Sequence, residues 1–283
     1  MLAAVVILYN PHNSIGEILS SYIDIVDMIY VIDNSENFNE ALFSKSFDES
    51  KCKYVSNGGN LGIAKALNIG CQMAISDGFK WVLTMDQDSS FVNFSKDKIE
   101  SIITKNTDSK IALYFPSYII GETTYDKFLV EDNEPLVVMT SGNILDLNVY
   151  TLVKGFEEKL FIDYVDTDYC LKLKTFGFKI SHLSNFTLQH ELGNSRYVNF
   201  LYKKALVTNH SHIRRYYITR NRFYVMSKYR KKSKIFFRSE LKVFINEFLK
   251  ILFFEPNKIL KIKSIFKGYS DFRAKKYGKL NYN

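Results

Sequence analysis

Four short apolar runs at the start of the chain each stop at a polar cluster, and helical patterns alternate with them. Residues 2–9, LAAVVILY, are apolar throughout, as in a parallel strand buried on both faces, and close on NPHNS. A helix is predicted from Ser14 to about Ile25. MIYVIDNSE is the next strand, running out into Asp33, Asn34 and Ser35. CKYVSNGGNLG is a third short strand with a glycine-rich turn. A second helix is predicted from about Ile63, with Ile63, Leu67, Cys71 and Ala74 on one face and Gly78 beyond its end. FKWVLTMDQDS is the fourth strand. This alternation leads to a parallel sheet with helices on both faces. Such sheets bind ligands beyond the carboxyl ends of their strands. Tyr9–Asn10, Asp33–Asn34, Asn57–Asn60 and Asp86–Asp88 all fall at those ends.

Residues 111–190 are less regular. IALYFPSYII and PLVVMTSGNILDL read as strands, VDTDYCLKLKTFG as a helix ending at Gly177, and FKISHLSNFTLQHEL as extended chain. From about Ser239 the spacing of Leu241, Phe244, Ile245, Phe248, Leu249 and Leu252 predicts an amphipathic helix. The expected division is a domain over 1–227 and a basic helical extension over 228–283.

With 283 residues, 46% of them hydrophobic, the chain can bury a large core. Cys52, Cys71 and Cys170 lack CxxC spacing, which argues against a disulfide framework or structural zinc and for a reducing cytoplasm. The N-terminus has no basic region before its apolar run and reads as a strand, not a signal peptide. No apolar run approaches the roughly 20 residues of a membrane span. The net charge of +8 is uneven. Residues 228–283 carry 16 Lys and Arg against 4 acidic residues, a net of +12, and the remainder is −4. A basic tail on an acidic body suits an anionic partner, nucleic acid or the inner face of a membrane.

Several clusters could carry chemistry. Asp86 and Asp88, two apart after an apolar strand, would sit on one side of it and could share a Mg²⁺ or Mn²⁺ with a diphosphate. A turn whose aspartates cap backbone amides explains them equally well. The NGGNLGIAKALNIG segment is neither a P-loop nor a dinucleotide fingerprint, and an ordinary strand–helix turn accounts for it. Asp163, Asp166 and Asp168 in FIDYVDTDYCLKL exceed what capping the next helix requires, so one can be a general base. A lone His190 is ordinarily structural unless a metal site exists for it to complete. HIRRYYITRNRF interleaves arginines, which suit phosphates, with aromatics; a solvated basic helix face is the alternative.

The ordered set ILYNP, VIDNS, NGGNLGIAKALNIG, MDQDS, SGN, FIDYVDTDYCLKL, HELG and RYYITRN resembles family 2 of the inverting nucleotide-sugar glycosyltransferases, over roughly the first 225 residues. Within it the chain looks most like bacterial rhamnosyltransferases of surface-polysaccharide assembly. The resemblance implies the GT-A fold, an α/β architecture with a mostly parallel, Rossmann-like central sheet flanked by helices, here with a C-terminal helical extension. It implies that Asp33 contacts the nucleotide base and that Tyr9, Asn10 and Pro11 lie along the nucleoside. Asn60 and Leu61 match the nucleotide loop. Asp86, Gln87 and Asp88 match the DxD element, with Asp88 a direct ligand of Mn²⁺ or Mg²⁺ and His190 completing the metal site. Asp166 matches the catalytic base, with Asp163, Gly142 and Asn143 toward the acceptor and Arg220 toward the diphosphate. Many relatives carry Glu-Asp where this chain has Val165–Asp166, which removes an acidic neighbour from the base.

The implied reaction is one direct displacement at the anomeric carbon. The donor it implies is dTDP-rhamnose, with a UDP-hexose or UDP-galactofuranose as the alternative. The acceptor would be a saccharide or a lipid-linked saccharide. A base near a helix N-terminus should be weak, which suits late proton transfer. Phe244, Phe248 and Phe253 beside clustered lysines suit an interfacial helix, giving peripheral membrane contact; packing on the chain's own domain or on a second subunit is the alternative. Two other classes fit less well. A haloacid-dehalogenase phosphatase carries its Asp-x-Asp after the first strand, not the fourth. A nucleic-acid-binding protein would spread its basic residues over one face of the fold, not gather them in a tail.

Overall fold

The structure is a computed structural model. It describes residues 1–12, 15–39, 50–104, 108, 110–120, 123–125, 128–132, 134–190, 196–200 and 203–280, with the side chains of 120, 123–125, 190, 196–200 and 203–206 left aside. The chain divides into two compact units: Met1–Phe161 with Val165–Glu191, and Ile162–Tyr164 with Leu192–Asn283.

In the first unit β1 (Leu2–Leu8), α1 (Ile15–Ser20), β2 (Met28–Asp33), β3 (Cys52–Ser56), α2 (Ile63–Ser76) and β4 (Trp81–Asp86) follow the predicted alternation. There follow β5 (Ser89–Phe91), α3 (Lys96–Thr104), β6 (Ile111–Ile120), β7 (Thr123–Tyr125), β8 (Val130–Glu131), β9 (Glu134–Pro135), β10 (Asn143–Asp146), α4 (Leu147–Leu152), α5 (Val165–Thr175) and β11 (Lys179–His190). The main sheet has the order β3-β2-β1-β4-β10-β6-β11-β5, with β7 on β6. The strands β3, β2, β1 and β4 are mutually parallel. Every residue of β1 is buried, as its unbroken apolar run requires. Beyond β4 the sheet becomes mixed: β10 runs antiparallel to β4 and β6, while β11 is parallel to β6. Of PLVVMTSGNILDL, only Pro135 and the stretch from Asn143 to Asp146 lie in strands.

Helix α1 is shorter than predicted, ending at Ser20; Ser14 lies outside the described residues. Helix α2 buries Leu67, Cys71 and Ala74 against β1 and β2, with Ile63 only partly covered.

The second unit holds a hairpin of β12 (Arg196–Phe200) and β13 (Lys203–Val207), then α6 (His212–Tyr229), α7 (Lys234–Phe254) and α8 (Lys258–Arg273). Ser211 caps α6 by accepting the Arg214 N–H, and Ser233 caps α7 by accepting the Phe236 N–H. The Ser233 cap starts α7 five residues ahead of the predicted Ser239. Helix α6 lies along α8, so compactness groups it with the C-terminal helices, not with residues 1–191 as a division at 227 would. Three buried charges of this unit form one cluster, in which Glu255 accepts from Arg215 at 2.7 Å and Lys261 at 2.8 Å, and buried Arg222 donates to half-buried Glu247 at 2.8 Å.

Candidate active site

Four strand ends build the site in the first unit. Leu8 lies opposite Asp33, Asp33 opposite Ser56, and Ile7 opposite Asp86. The polar residues that follow therefore share one sheet edge, the ligand-binding edge of such folds.

Side chains stitch this edge together. Gln87 accepts the Tyr9 N–H at 2.8 Å and donates to the Tyr9 carbonyl at 3.2 Å. The Asn10 N–H donates to Ser35 Oγ at 2.7 Å. Asp33 is fully buried and accepts from the Ser35 N–H, the Tyr54 hydroxyl and the Asn39 amide at 2.8, 2.6 and 2.8 Å. Burial alone would raise its carboxyl; these hydrogen bonds outweigh it and hold the pKa below the usual carboxylate range. Asn57 donates to Asn34, and Asn34 donates to the Gly62 carbonyl. Asn60 Oδ1 accepts the Gly62 N–H at 2.9 Å in an Asx turn. Gly62 has φ 90, and a Cβ there would meet the Phe161 ring at 2.5 Å, so only glycine lets this loop close.

Strand β4 ends at Asp86, so Asp88 stands in the turn to β5 and does not continue the strand alternation. The Asp86 N–H donates to Ser141 Oγ at 3.1 Å, and the Gly142 N–H donates to the Thr84 carbonyl at 2.8 Å. Asp166 lies in the first turn of α5 and accepts the Thr167 N–H at 2.7 Å. With Thr84, Asn143 and Tyr169 it borders a narrow slot of 10 Å³, about the space of one water. Tyr118, on β6, has its hydroxyl 3.5 Å from Asn143 Oδ1. Burial pushes this phenol well up, and the charges of Cys170, Asp166 and Asp86 add to the effect. Asp86 and Asp166 thus act electrostatically on one buried phenol from two different elements.

The residues meant for a divalent ion fit that use in part. Backbone pairing sets His190 opposite Ser89, the residue after Asp88, so the backbones of the two expected ligands run close together. Carboxylate oxygen and imidazole nitrogen are donor types that suit Mn²⁺ or Mg²⁺. Among the described residues no group of three or more His, Cys, Asp or Glu side chains is arranged around an ion site, and the His190 side chain lies outside them.

A sequence model of glycosyl transferase family 2 matches residues 3–179, more than half of the chain. The chain belongs to glycosyl transferase family 2. A curated relative, the dTDP-rhamnosyl transferase RfbF of Shigella flexneri, is 29% identical over 241 residues, 80% of this chain and 79% of that one. Among solved structures, GalNAc-T7 with UDP, GalNAc and Mn²⁺ aligns at TM-score 0.58 and 14% identity over 80% of this chain. This chain spans 47% of that protein's length. Residues 1–349 of S. aureus TarS, in complex with UDP-GlcNAc, align at TM-score 0.58 and 13% identity over 96% of this chain and 80% of that one. The fold is the GT-A fold that the motif order implied.

Within this family 2 fold the expected site residues have different fates. Tyr9, Asn10, Pro11, Asp33, Asn60, Leu61, Asp86, Gln87, Asp88 and Asp166 all belong to the first unit, and Tyr9 and Leu61 are exposed. Gly142 and Asn143 are buried beside them, where Asn143 donates to the Met139 carbonyl at 2.6 Å and supports the wall behind Asp86. Asp168 is buried near Lys172. Arg220, expected at the diphosphate, is 1% exposed inside the second unit. It donates to the Gly278 carbonyl at 2.7 Å and lies over the rings of Tyr216 and Tyr217, which gives it a structural role here. Asp163, also in the second unit, pairs with Arg214 at 3.0 Å and keeps a buried Oδ2 with no hydrogen-bond partner. Burial pushes its carboxyl up against the pull of Arg214. The segment after His190 in HELG lies outside the described residues.

Three residues escaped the sequence reading. Tyr118 and Ser141 sit in apolar or small-residue stretches that signal only strand or turn. Asn221 donates to the carbonyls of Ile162 and Asp163 at 2.6 and 3.1 Å and so holds left-handed backbone at Asp163 and Tyr164. Its only signal was its place in RYYITRN.

Proposed function

We propose that this family 2 chain transfers a sugar, with inversion, from a nucleoside diphosphate to the hydroxyl of a saccharide or lipid-linked saccharide. The observation that carries the reading is the sheet edge at which β1, β2 and β4 end on Tyr9, Asp33 and Asp86, with Asp166 bordering a slot that Thr84 of β4 also lines. One base and one leaving-group side suffice for a single displacement.

Asp166 takes the proton of the acceptor hydroxyl as its oxygen attacks the anomeric carbon. The bond from that carbon to the diphosphate oxygen breaks on the opposite face, and its electron pair leaves with the diphosphate. Asp88 and His190 would hold a Mn²⁺ or Mg²⁺, which would supply neutralising charge for that group. Tyr118, buried beside Asn143, stays protonated and neutral. Tyr9, Asn10 and Pro11 line the nucleoside. Asp33 keeps the base end rigid through Tyr54 and Asn39.

dTDP-rhamnose is the favoured donor because a curated relative, 29% identical over 241 residues, is a dTDP-rhamnosyl transferase. A UDP-sugar is the second reading, since the TarS complex holds UDP-GlcNAc. Calorimetry against dTDP-rhamnose and UDP-hexoses, with Mn²⁺ present, separates them. Asp166→Asn should lower turnover by roughly a hundredfold to ten-thousandfold while donor binding survives. Turnover retained in this variant removes Asp166 as the base.

A further inference from the structure

The helices at the C-terminus expose cations and hide anions. All four acidic side chains of residues 228–283 are turned inward. Glu255 is held by Arg215 and Lys261, and Asp271 by Lys267 and the Tyr216 hydroxyl. Glu240 and Glu247 both bind Arg222, at 3.0 and 2.8 Å. Of the 16 lysines and arginines in the same stretch, all but Lys250 and Lys261 are exposed. The internal pairs thus consume the negative charge and leave an outer surface that is almost purely positive.

Large apolar side chains stand among these cations at the corner where α7 passes into α8. Phe253 is 62% exposed, Ile259 74%, Leu260 46% and Phe266 65%. Ile259 and Phe266 are seven apart on α8 and share a face, with Lys263 between them. Lys258, Ile259, Leu260 and Lys263 line an open groove of 550 Å³ at this corner with Pro256 and Asn257. The sequence had assigned an interfacial role to Phe244, Phe248 and Phe253. Phe244 instead packs edge-on against Phe223, centroids 5.4 Å apart, beneath Arg222. Phe253 alone of the three is exposed, and α8 supplies the rest of the patch.

We propose that this α7–α8 corner docks on an anionic lipid bilayer. Phe253, Ile259, Leu260 and Phe266 enter the boundary between headgroups and acyl chains, and Lys258 and Lys263 meet the lipid phosphates. Charge complementarity selects the anionic surface, and the apolar side chains select a lipid one. A nucleic acid would satisfy the lysines but would leave four apolar side chains in water. A second copy of the corner would bring like charges together. No helix among the described residues is long and apolar enough to cross a membrane, and the proposed contact is with the surface. The docking does not depend on the transfer chemistry and is measured without donor or acceptor.

The test is co-sedimentation of the full chain with phosphatidylcholine vesicles, with and without about a quarter phosphatidylglycerol. The chain should pellet with the anionic vesicles, release as salt is raised, and stay in solution with neutral ones. Ile259→Ser with Phe266→Ser changes two solvent-exposed side chains, so thermal melting should be unchanged while vesicle affinity falls roughly tenfold. Lys258→Glu with Lys263→Glu should fall by a similar factor. Failure of the unmodified chain to pellet with anionic vesicles overturns the proposal, whatever the variants do. So does undiminished binding by the folded serine variant, or tighter binding to a DNA duplex than to the vesicles, because either describes a bare polyanion site.

Discussion

Gln87 grips the backbone of Tyr9 from both sides, accepting its N–H at 2.8 Å and donating to its carbonyl at 3.2 Å. The pair ties the turn after β4 to the end of β1, so the two strand ends are joined directly. The contact is exposed, and water can replace both bonds when the side chain is lost. Gln87→Leu should therefore cost less than about 1 kcal/mol of stability. The donor KM should rise roughly three- to tenfold with kcat little changed, the pattern of lost uniform binding. Steady-state kinetics with varied donor measures this, and an unchanged KM would remove Tyr9 from donor contact.

Gly62 and Gly58 offer a controlled comparison. Both have positive φ, 90 and 63, but a Cβ on Gly62 would meet Phe161 at 2.5 Å while one on Gly58 meets nothing within 4 Å. Gly58→Ala should cost about 1 kcal/mol from backbone strain alone. Gly62→Ala should cost about 2–4 kcal/mol because overpacking is added to strain. Thermal unfolding of the two variants reads the difference, and equal melting temperatures would show that the loop yields freely.

Glu255 is the shared anion of two buried cations, Arg215 and Lys261, each within 2.8 Å. Removing it in Glu255→Ala leaves buried Lys261 with no carboxylate and buried Arg215 with only Glu247, 3.6 Å away. A loss of about 3–5 kcal/mol is expected in denaturant unfolding. A loss below about 1 kcal/mol would mean that water reaches this cluster.

His210 should make the second unit sensitive to mild acid. Burial, with Arg214, Arg215 and Lys261 nearby, lowers its pKa from the usual 6.5 to about 3. The folded state therefore refuses a proton that the unfolded chain accepts below about pH 6.5. Stability is full above that pH and declines as pH falls toward 3, by up to about 1 kcal/mol between pH 6.5 and 5.5. His210→Gln should flatten this part of the curve. Asp33 acts lower: its depressed pKa gives stability that is present above about pH 3.9 and is lost below it.

Chelation addresses the ion. EDTA should stop transfer and added Mn²⁺ should restore it, with Asp88→Asn raising the Mn²⁺ needed for half-maximal rate. Full turnover in EDTA would leave Asp88 and His190 without a ligand role.

Much of the first unit was legible because its signals are local. The unbroken apolar run of β1 specifies a strand covered on both faces, and the spacing of Leu67, Cys71 and Ala74 specifies the buried face of α2. Where such strands end, the fold type itself points to Tyr9, Asp33 and Asp86. The mixed half of the sheet was harder to read. β10 is four residues long and sits antiparallel between β4 and β6, a placement set by partners distant in sequence.

The sequence by itself determined the alternation of elements, the family and the split of charge between body and tail, because periodicity, motif order and composition need no partner to be read. Tertiary structure decided which polar side chains meet. It buried Asp33 among the donors of Ser35, Tyr54 and Asn39, held Arg220 on the Gly278 carbonyl, and turned Glu255 and Asp271 inward so that cations dominate outside. Each of these depends on desolvation and on pairing between residues far apart in the chain, and both are properties of the packed molecule.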